Sequence, residues 1–294
     1  MDKVAVLMNK NAGKGQLADS QQAIAKVLES RFAEVVFYDM AQFSDRTKAI
    51  LQILKQFDLV IIAGGDGTVH EVVNIVAPLP HRPTLAIIPA GTANDFSRQI
   101  NMPQDPIEAA QTILALKKQS VDIGKTEQRY FVNFWGIGLI TQASQSIDAR
   151  SKQNIGKLAY YLQAIQSVGQ VTPFKLTLQT QDKVIEDQAV MVIIGNGSYT
   201  GGVRALLPKA NISDGLFEVL VIKEASIQTV LSILQSRKAS VDHQELEGVI
   251  ALQTHCLSIS TEPSQTIDCD GESDGQTPTE IVVLPKHIEM IVGE

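Results

Sequence analysis

Leu59-Val60-Ile61-Ile62-Ala63 runs into Gly64-Gly65-Asp66-Gly67-Thr68 and then into Val69-His70-Glu71-Val72-Val73-Asn74. Five apolar residues, three of them β-branched, suit a strand buried on both faces of a parallel sheet. Glycine permits positive φ and close approach of main-chain N–H groups to a ligand, and a helix that follows directs its positive end to the same place. The stretch therefore predicts strand, anion-binding loop and helix. Asp66 would repel a bare phosphate, so its position inside the loop points to phosphate together with Mg²⁺. A plain turn in which Asp66 caps the helix accounts for the same residues.

Two other places repeat the transition. Val4 to Met8 leads into Asn9-Lys10-Asn11-Ala12-Gly13-Lys14-Gly15, and Leu85 to Ile88 leads into Pro89-Ala90-Gly91-Thr92-Ala93-Asn94-Asp95-Phe96. Amide, lysine and glycine residues suit phosphate oxygens, although the first loop lacks the Walker spacing. Val35 to Tyr38 reads as a further strand. Ile24, Val27 and Leu28 mark one helix, and Ile50, Ile53, Leu54 and Phe57 a second, with Ser44 and Asp45 at its start. Strands and helices that alternate in this way give a parallel sheet, whose loops converge at the strands' carboxyl ends.

A helix is expected over Asp105 to Lys118, and a domain boundary follows it at Ser120 to Gly124. Beyond that the rhythm changes to short β-like runs: Tyr130 to Phe134, Lys175 to Leu178, Ala189 to Ile194, Phe217 to Ile222, Leu257 to Ser260 and Ile281 to Leu284. These predict a second domain rich in antiparallel strands. Two helices interrupt it. Ser226 to Leu234 reads as a packed helix, and Gly156 to Val168, with Arg150, Lys152 and Lys157 near its start, reads as core-facing or as a membrane-surface contact.

The chain has 294 residues, enough for two domains, with 44% hydrophobic and 19% charged residues. A net charge of −7 argues against nucleic acid as partner and against strong adhesion to anionic lipid. No apolar run approaches the roughly 18 residues a spanning helix needs, and the N-terminus does not read as a signal peptide. The expected location is cytoplasmic, with transient membrane contact. Cys256 and Cys269 show no metal-ligand spacing and read as packing residues.

With Gly64-Gly65-Asp66-Gly67-Thr68 and Gly91-Thr92-Ala93-Asn94-Asp95-Phe96 both present, the chain resembles the bacterial diacylglycerol kinase family of lipid kinases. The resemblance continues through Val121-Asp122-Ile123-Gly124, Gly195-Asn196-Gly197, the segment from Leu207-Pro208 to Ser213-Asp214-Gly215-Leu216-Phe217, and Asp270-Gly271-Glu272. It implies an α/β fold class: an N-terminal NAD kinase/diacylglycerol kinase-like parallel-sheet domain at 1–122, completed by a returning strand at 287–294, and a β-rich sandwich domain at 123–286. It places a nucleotide site in the cleft between them.

By that resemblance Asn9, Lys10, Asn11, Ala12, Gly13, Gly64, Gly65, Asp66, Gly67, Thr68, Val69, His70 and Thr92 line an ATP site. Glu272 matches the catalytic base, working with Asp66, and Asp95 and Asp122 join Asp66 in an acidic network near a catalytic Mg²⁺. Asn211, Asp214 and Leu216 match the positions that hold a structural Mg²⁺. The implied partners are ATP and a lipid alcohol at a membrane surface, with homodimerisation common in the family. His70 stands where many members have Asn and reads as a surface residue; Met40 stands where a nucleotide-contacting Thr is usual. The acceptor stays open among diacylglycerol, a sphingoid base and a polyprenol. A decayed nucleotide-binding regulator and an NAD kinase are the other readings, and Trp135 fits either a core or a lipid channel.

Overall fold

The computed structural model describes residues 3–141, 172–202, 204, 206–224 and 248–294. The two helices expected at 156–168 and 226–234, and Arg150, Lys152 and Lys157, lie outside the described residues. The chain divides into two compact units, one of Met1–Val121 with Lys286–Glu294 and one of Asp122–Pro285.

In the first unit, strands β1 (Lys3–Met8), β2 (Glu34–Asp39), β3 (Leu59–Gly64) and β4 (Thr84–Pro89) lie in the order β2-β1-β3-β4. Neighbours are parallel, with Ala5 beside Val36 and Val60, and Ile61 beside Ala86. Every residue of β3 and β4 is buried, as continuous apolar runs in a covered parallel sheet require, whereas edge strand β2 is only partly covered. Leu17, Ile24 and Leu28 of helix α1 (Gln16–Glu29) and Ile50, Ile53 and Leu54 of α2 (Arg46–Leu54) are buried. Asp45 caps α2 by accepting the Lys48 N–H at 2.9 Å.

Helices α3 (Asp66–Val76) and α4 (Asp95–Gln99) open directly after β3 and β4. Helix α5 (Pro106–Ile113) starts at Asp105, whose carboxylate accepts the Ile107 and Glu108 N–H groups. It is shorter than expected. After Ile113 the amides of Leu114, Ala115 and Leu116 bond three residues back, and Leu116 turns left-handed at φ 51°. The chain then enters β5 (Lys118–Lys125), because Lys117 is held by the C-terminal segment: Val292 N–H donates to the Lys117 carbonyl.

The second unit is antiparallel. Strands β6 (Tyr130–Phe131), β7 (Phe134–Gly138), β8 (Phe174–Gln179), β9 (Val184–Ala189), β10 (Met191–Gly195), β11 (Phe217–Ile222), β12 (Val249–Thr254), β13 (Cys256–Glu262), β14 (Thr266–Cys269), β15 (Glu272–Gln276) and β16 (Thr279–Ile291) follow in turn. One sheet runs β12-β11-β10-β7-β14-β15, and β16-β13-β8-β9 forms the run that faces it across the core. Leu176, Leu178 and Ile259 from one meet Trp135, Val192 and Val219 from the other in a single cluster. Trp135 is wholly buried there, a core residue.

Several of the expected runs are subdivided. The run at 130–134 breaks because the Val132 and Asn133 amides turn to the Asp270 carboxylate. The run at 189–194 breaks at Val190, which exchanges backbone bonds with Leu139 and Ile222. The last run is longer than expected: β16 begins beside β13, with Leu257 opposite Ile281, and Met290 then lies parallel to Leu85 in the first unit's sheet. Lys286, at φ 50°, marks the change. A parallel α/β unit and an antiparallel β-rich sandwich are thus the observed fold class.

Candidate active site

In the first unit the three strand-end loops are laced together. Asn9 N–H donates to the Ala63 carbonyl at 2.9 Å, and its side-chain amide reaches Thr68 Oγ1 at 3.1 Å. Ala90 N–H donates to the Gly64 carbonyl. Asp66 binds the third loop through both oxygens, accepting the Asn94 N–H at 2.9 Å and the Asp95 N–H at 2.7 Å. Asn94, itself left-handed at φ 52°, folds its side chain back on Gly91, accepting that residue's N–H and donating to its carbonyl. Asn tolerates this conformation better than other side-chain residues do.

The glycines work differently from the expectation. Gly64, Gly65, Gly67 and Gly91 are absent from the positive-φ residues. Space is what requires Gly64, Gly65 and Gly91: a Cβ on Gly64 would lie 2.5 Å from Thr68 Oγ1, and one on Gly91 would lie 2.8 Å from Gly65 Cα. Backbones in such contact let the opening turn of α3 meet the loop after β4. Asp66 and Gly67, in that opening turn, precede the first helical acceptor–donor pairs, so the amide end of α3 faces the same edge as the loops.

The other expected nucleotide residues sort by environment. Asn9, Lys10, Gly65 and Asp66 are partly exposed, Asn11 and Thr92 are exposed in their loops, and Gly67 is exposed in the opening turn of α3. Ala12 begins the short 3-10 turn Ala12–Gly15 that contains Gly13. Lys10 pairs with Asp39 at 3.4 Å. Val69 and His70 are buried. His70 is therefore no surface residue: it packs within α3, its Nε2 at 3.3 Å from Asn74 Nδ2, because the helix turns that face inward. Met40 is also buried, in the turn after β2, with Asp39 accepting the Ala41 N–H.

In the second unit, Asp122 organises the segment after β10. It is fully buried; its N–H donates to the Ile212 carbonyl and its Oδ2 accepts the Gly215 N–H, both at 2.7 Å. Asn196 donates to the Asp122 and Val132 carbonyls. Asn211 and Asp214 are exposed on this segment. Asn211 Oδ1 accepts from Ser213, and Asp214 Oδ1 accepts the Leu216 N–H at 3.0 Å. Glu272 stands exposed at the start of β15, directly after the reverse turn at Asp270-Gly271.

Beneath that turn, Asp274 accepts from Thr126 and pairs with Arg129 at 2.9 Å. Burial, with the charges of Asp274 and Asp270 adding, holds the Cys269 thiol well above its usual range, so it remains a proton donor to Asp274. Neither cysteine offers a ligand set, and among the described residues no group of three or more His, Cys, Asp or Glu side chains could hold a metal. The single carboxylate of Asp214, with one oxygen committed, and main-chain carbonyls at Asn211 and Leu216 are donors of the type hard cations take. Asp66 is partly exposed and gives both oxygens to amides, which fits contact with a cation through water more than direct ligation.

Sequence reasoning missed two residues. Asn94 closes the third loop, and Asp270 accepts three backbone amides; an Asn in a glycine loop and an Asp-Gly pair were the available signals, and both read equally as turn chemistry.

Comparison with known proteins gives the family. Residues 3–126 match the diacylglycerol kinase catalytic domain, and residues 136–292 match the YegS C-terminal NAD kinase beta sandwich-like domain. The diacylglycerol kinase of Bacillus subtilis (strain 168) is 28% identical over 99% of this chain and 97% of its own. That of Staphylococcus haemolyticus (strain JCSC1435) is 31% identical over 97% of this chain and 86% of its own. A crystal structure of a diacylglycerol kinase from Bacillus anthracis str. Sterne superimposes with a TM-score of 0.81 at 32% identity, covering 99% of this chain and 97% of that one. With both halves matched in order and relatives aligned along almost their full length, the chain belongs to the bacterial diacylglycerol kinase family of lipid kinases.

Proposed function

We propose that the protein transfers the γ-phosphoryl group of ATP to the hydroxyl of diacylglycerol or a similar lipid alcohol, giving phosphatidic acid or its equivalent. The observation that carries this reading is the lacing of three strand-end loops around the Asp66 carboxylate, which presents main-chain amides and the start of α3 at one edge. Phosphoryl transfer depends on positioning and charge neutralisation more than on covalent chemistry. Asn9 to Gly13, Gly64 to Thr68 and Thr92 hold the nucleotide, while Val69 and His70, facing inward, hold the helix that carries those amides.

Asp66, partly exposed, would hold a catalytic Mg²⁺ through water, with Asp95 behind it giving its N–H to the same carboxylate, and Asn211, Asp214 and Leu216 would hold a structural one; Asp122, fully buried and bonded to the Gly215 N–H, serves the second unit's own loop. When bound, the ion supplies positive charge to the phosphate oxygens. Glu272 takes the hydroxyl proton as the lipid oxygen bonds to the γ-phosphorus and the bond to the ADP oxygen breaks. Its exposure at the start of β15 leaves the carboxylate accessible to an acceptor. Such a lipid resides in a bilayer, so the enzyme meets it in transient contact with a membrane surface.

The test is incubation with labelled ATP, Mg²⁺ and a panel of diacylglycerol, sphingoid base and polyprenol in mixed micelles. Label is expected in diacylglycerol; label in none of them would leave the reading without a substrate. Glu272→Gln should lower turnover by at least ~100-fold, in the range of lost acid–base catalysis, with nucleotide binding retained. An active Gln variant removes Glu272 as base.

A further inference from the structure

Resting on Glu272 as the proton acceptor, we infer that Asp270 is a positioning residue that fixes Glu272 by anchoring its hairpin. Strands β14 and β15 pair at Cys269 and Glu272, leaving Asp270 and Gly271 as a two-residue loop at φ 54° and 92°. Two left-handed central residues are the pattern of a type I′ turn, for which Asp-Gly and Asn-Gly serve alike. Such a turn closes through its own backbone. It needs nothing from the first side chain.

Here the residue is 8% exposed and both carboxylate oxygens accept amides. Asp270 Oδ2 accepts the Val132 N–H at 2.8 Å, and Oδ1 accepts the Asn133 and Phe134 N–H groups at 2.9 Å each. Its own N–H donates to the Phe134 carbonyl at 3.0 Å. On the other side of the turn, Gly271 N–H donates to Asp268 Oδ1 at 2.7 Å. A buried carboxylate is costly unless hydrogen-bonded, and three amides are the compensation. They join the hairpin tip to residues 132–134, the link from β6 into the start of β7 in the second unit. Glu272, the next residue along, is exposed but leaves a backbone held on both sides. Proton transfer is sensitive to displacement of the base by about 1 Å, which can cost ~100-fold in rate.

Asp270→Asn keeps the size and the left-handed preference while placing an NH₂ group where one amide acceptor stood. In the full-length protein, assayed with diacylglycerol micelles and Mg-ATP well below the melting temperature, kcat should fall by at least ~10-fold, with KM for ATP and nucleotide-binding stoichiometry within ~2-fold of the parent. Adding Asp270→Asn to Glu272→Gln should cost nothing further, because a residue that acts through Glu272 has no base left to position. Undiminished kcat, a parallel rise in KM for ATP, or an equal loss in the Gln background would overturn the inference. Full activity of Glu272→Gln alone would instead remove the proposed function on which it rests. Hydrogen exchange in the parent is the second measurement, independent of whether the variant folds: Val132, Asn133 and Phe134 amides should exchange slowly, and rapid exchange overturns the anchor.

Discussion

Asp66 joins two loops through one side chain. Its two oxygens take the amides of Asn94 and Asp95, so its placement is tied to the loop it stabilises. Gly91 makes the same point sterically. A methyl there would sit 2.7 Å from Asn94 Oδ1 and 2.8 Å from Gly65 Cα, so Gly91→Ala must part the two loops. We expect a loss of ~1–3 kcal/mol of stability from overpacking and a larger relative loss of kinase activity than of melting temperature. Activity equal to the parent's would mean that the loops yield without consequence. The residue types in these loops made them candidates for a phosphate site from the sequence, but the contact between residues 66 and 94–95 was not legible, because it joins two loops that no local pattern relates.

Elements were legible in proportion to their apolar regularity. Strands such as Leu59–Gly64 and Phe217–Ile222, buried at every position, stand out in the sequence. Thr266–Cys269 and Glu272–Gln276 do not, since they are short and carry polar residues on a hairpin whose partners pin it in place. The end of α5 was misjudged for a similar reason: Lys117 is drawn to the C-terminal strand by a bond that lies far away in sequence.

That strand carries a pH dependence. Glu289 Oε1 accepts from Lys118 at 2.7 Å and from Thr84 at 2.6 Å, and these bonds, Lys118 first, hold its carboxyl below the usual value of 4.5. A depressed folded value means that Glu289 contributes stability above about pH 4.5 and loses it as pH falls through the folded value. Glu289→Gln should therefore flatten the decline of melting temperature below pH 4.5, while an unchanged decline would assign acid sensitivity to other groups. Both partners are more than a third exposed, so the effect is that of a screened surface pair.

For the whole molecule, the change of rhythm from alternating strands and helices to short strands separated by turns conveyed the two architectures. Among the described residues no helix is long and apolar enough to cross a membrane. Residues Lys286–Glu294 belong with Met1–Val121 in the first unit. Arg82 Nε donates to the His287 carbonyl, Met290 pairs with Leu85, and Gly293 N–H donates to the Ile100 carbonyl. Deleting 287–294 should expose the far side of β4, lower the melting temperature of the first unit and reduce soluble yield. A truncated protein with the parent's melting curve would show the strand to be dispensable.

The same closing strand sets a timetable for synthesis. A ribosome extends the chain by about 5–20 residues per second, so the first unit's opening 121 residues emerge well before their final strand partner is made. During that interval β4 offers an unpaired edge, the kind of surface that invites wrong pairing or chaperone capture. The parallel sheet becomes complete only after the second unit has been fully translated.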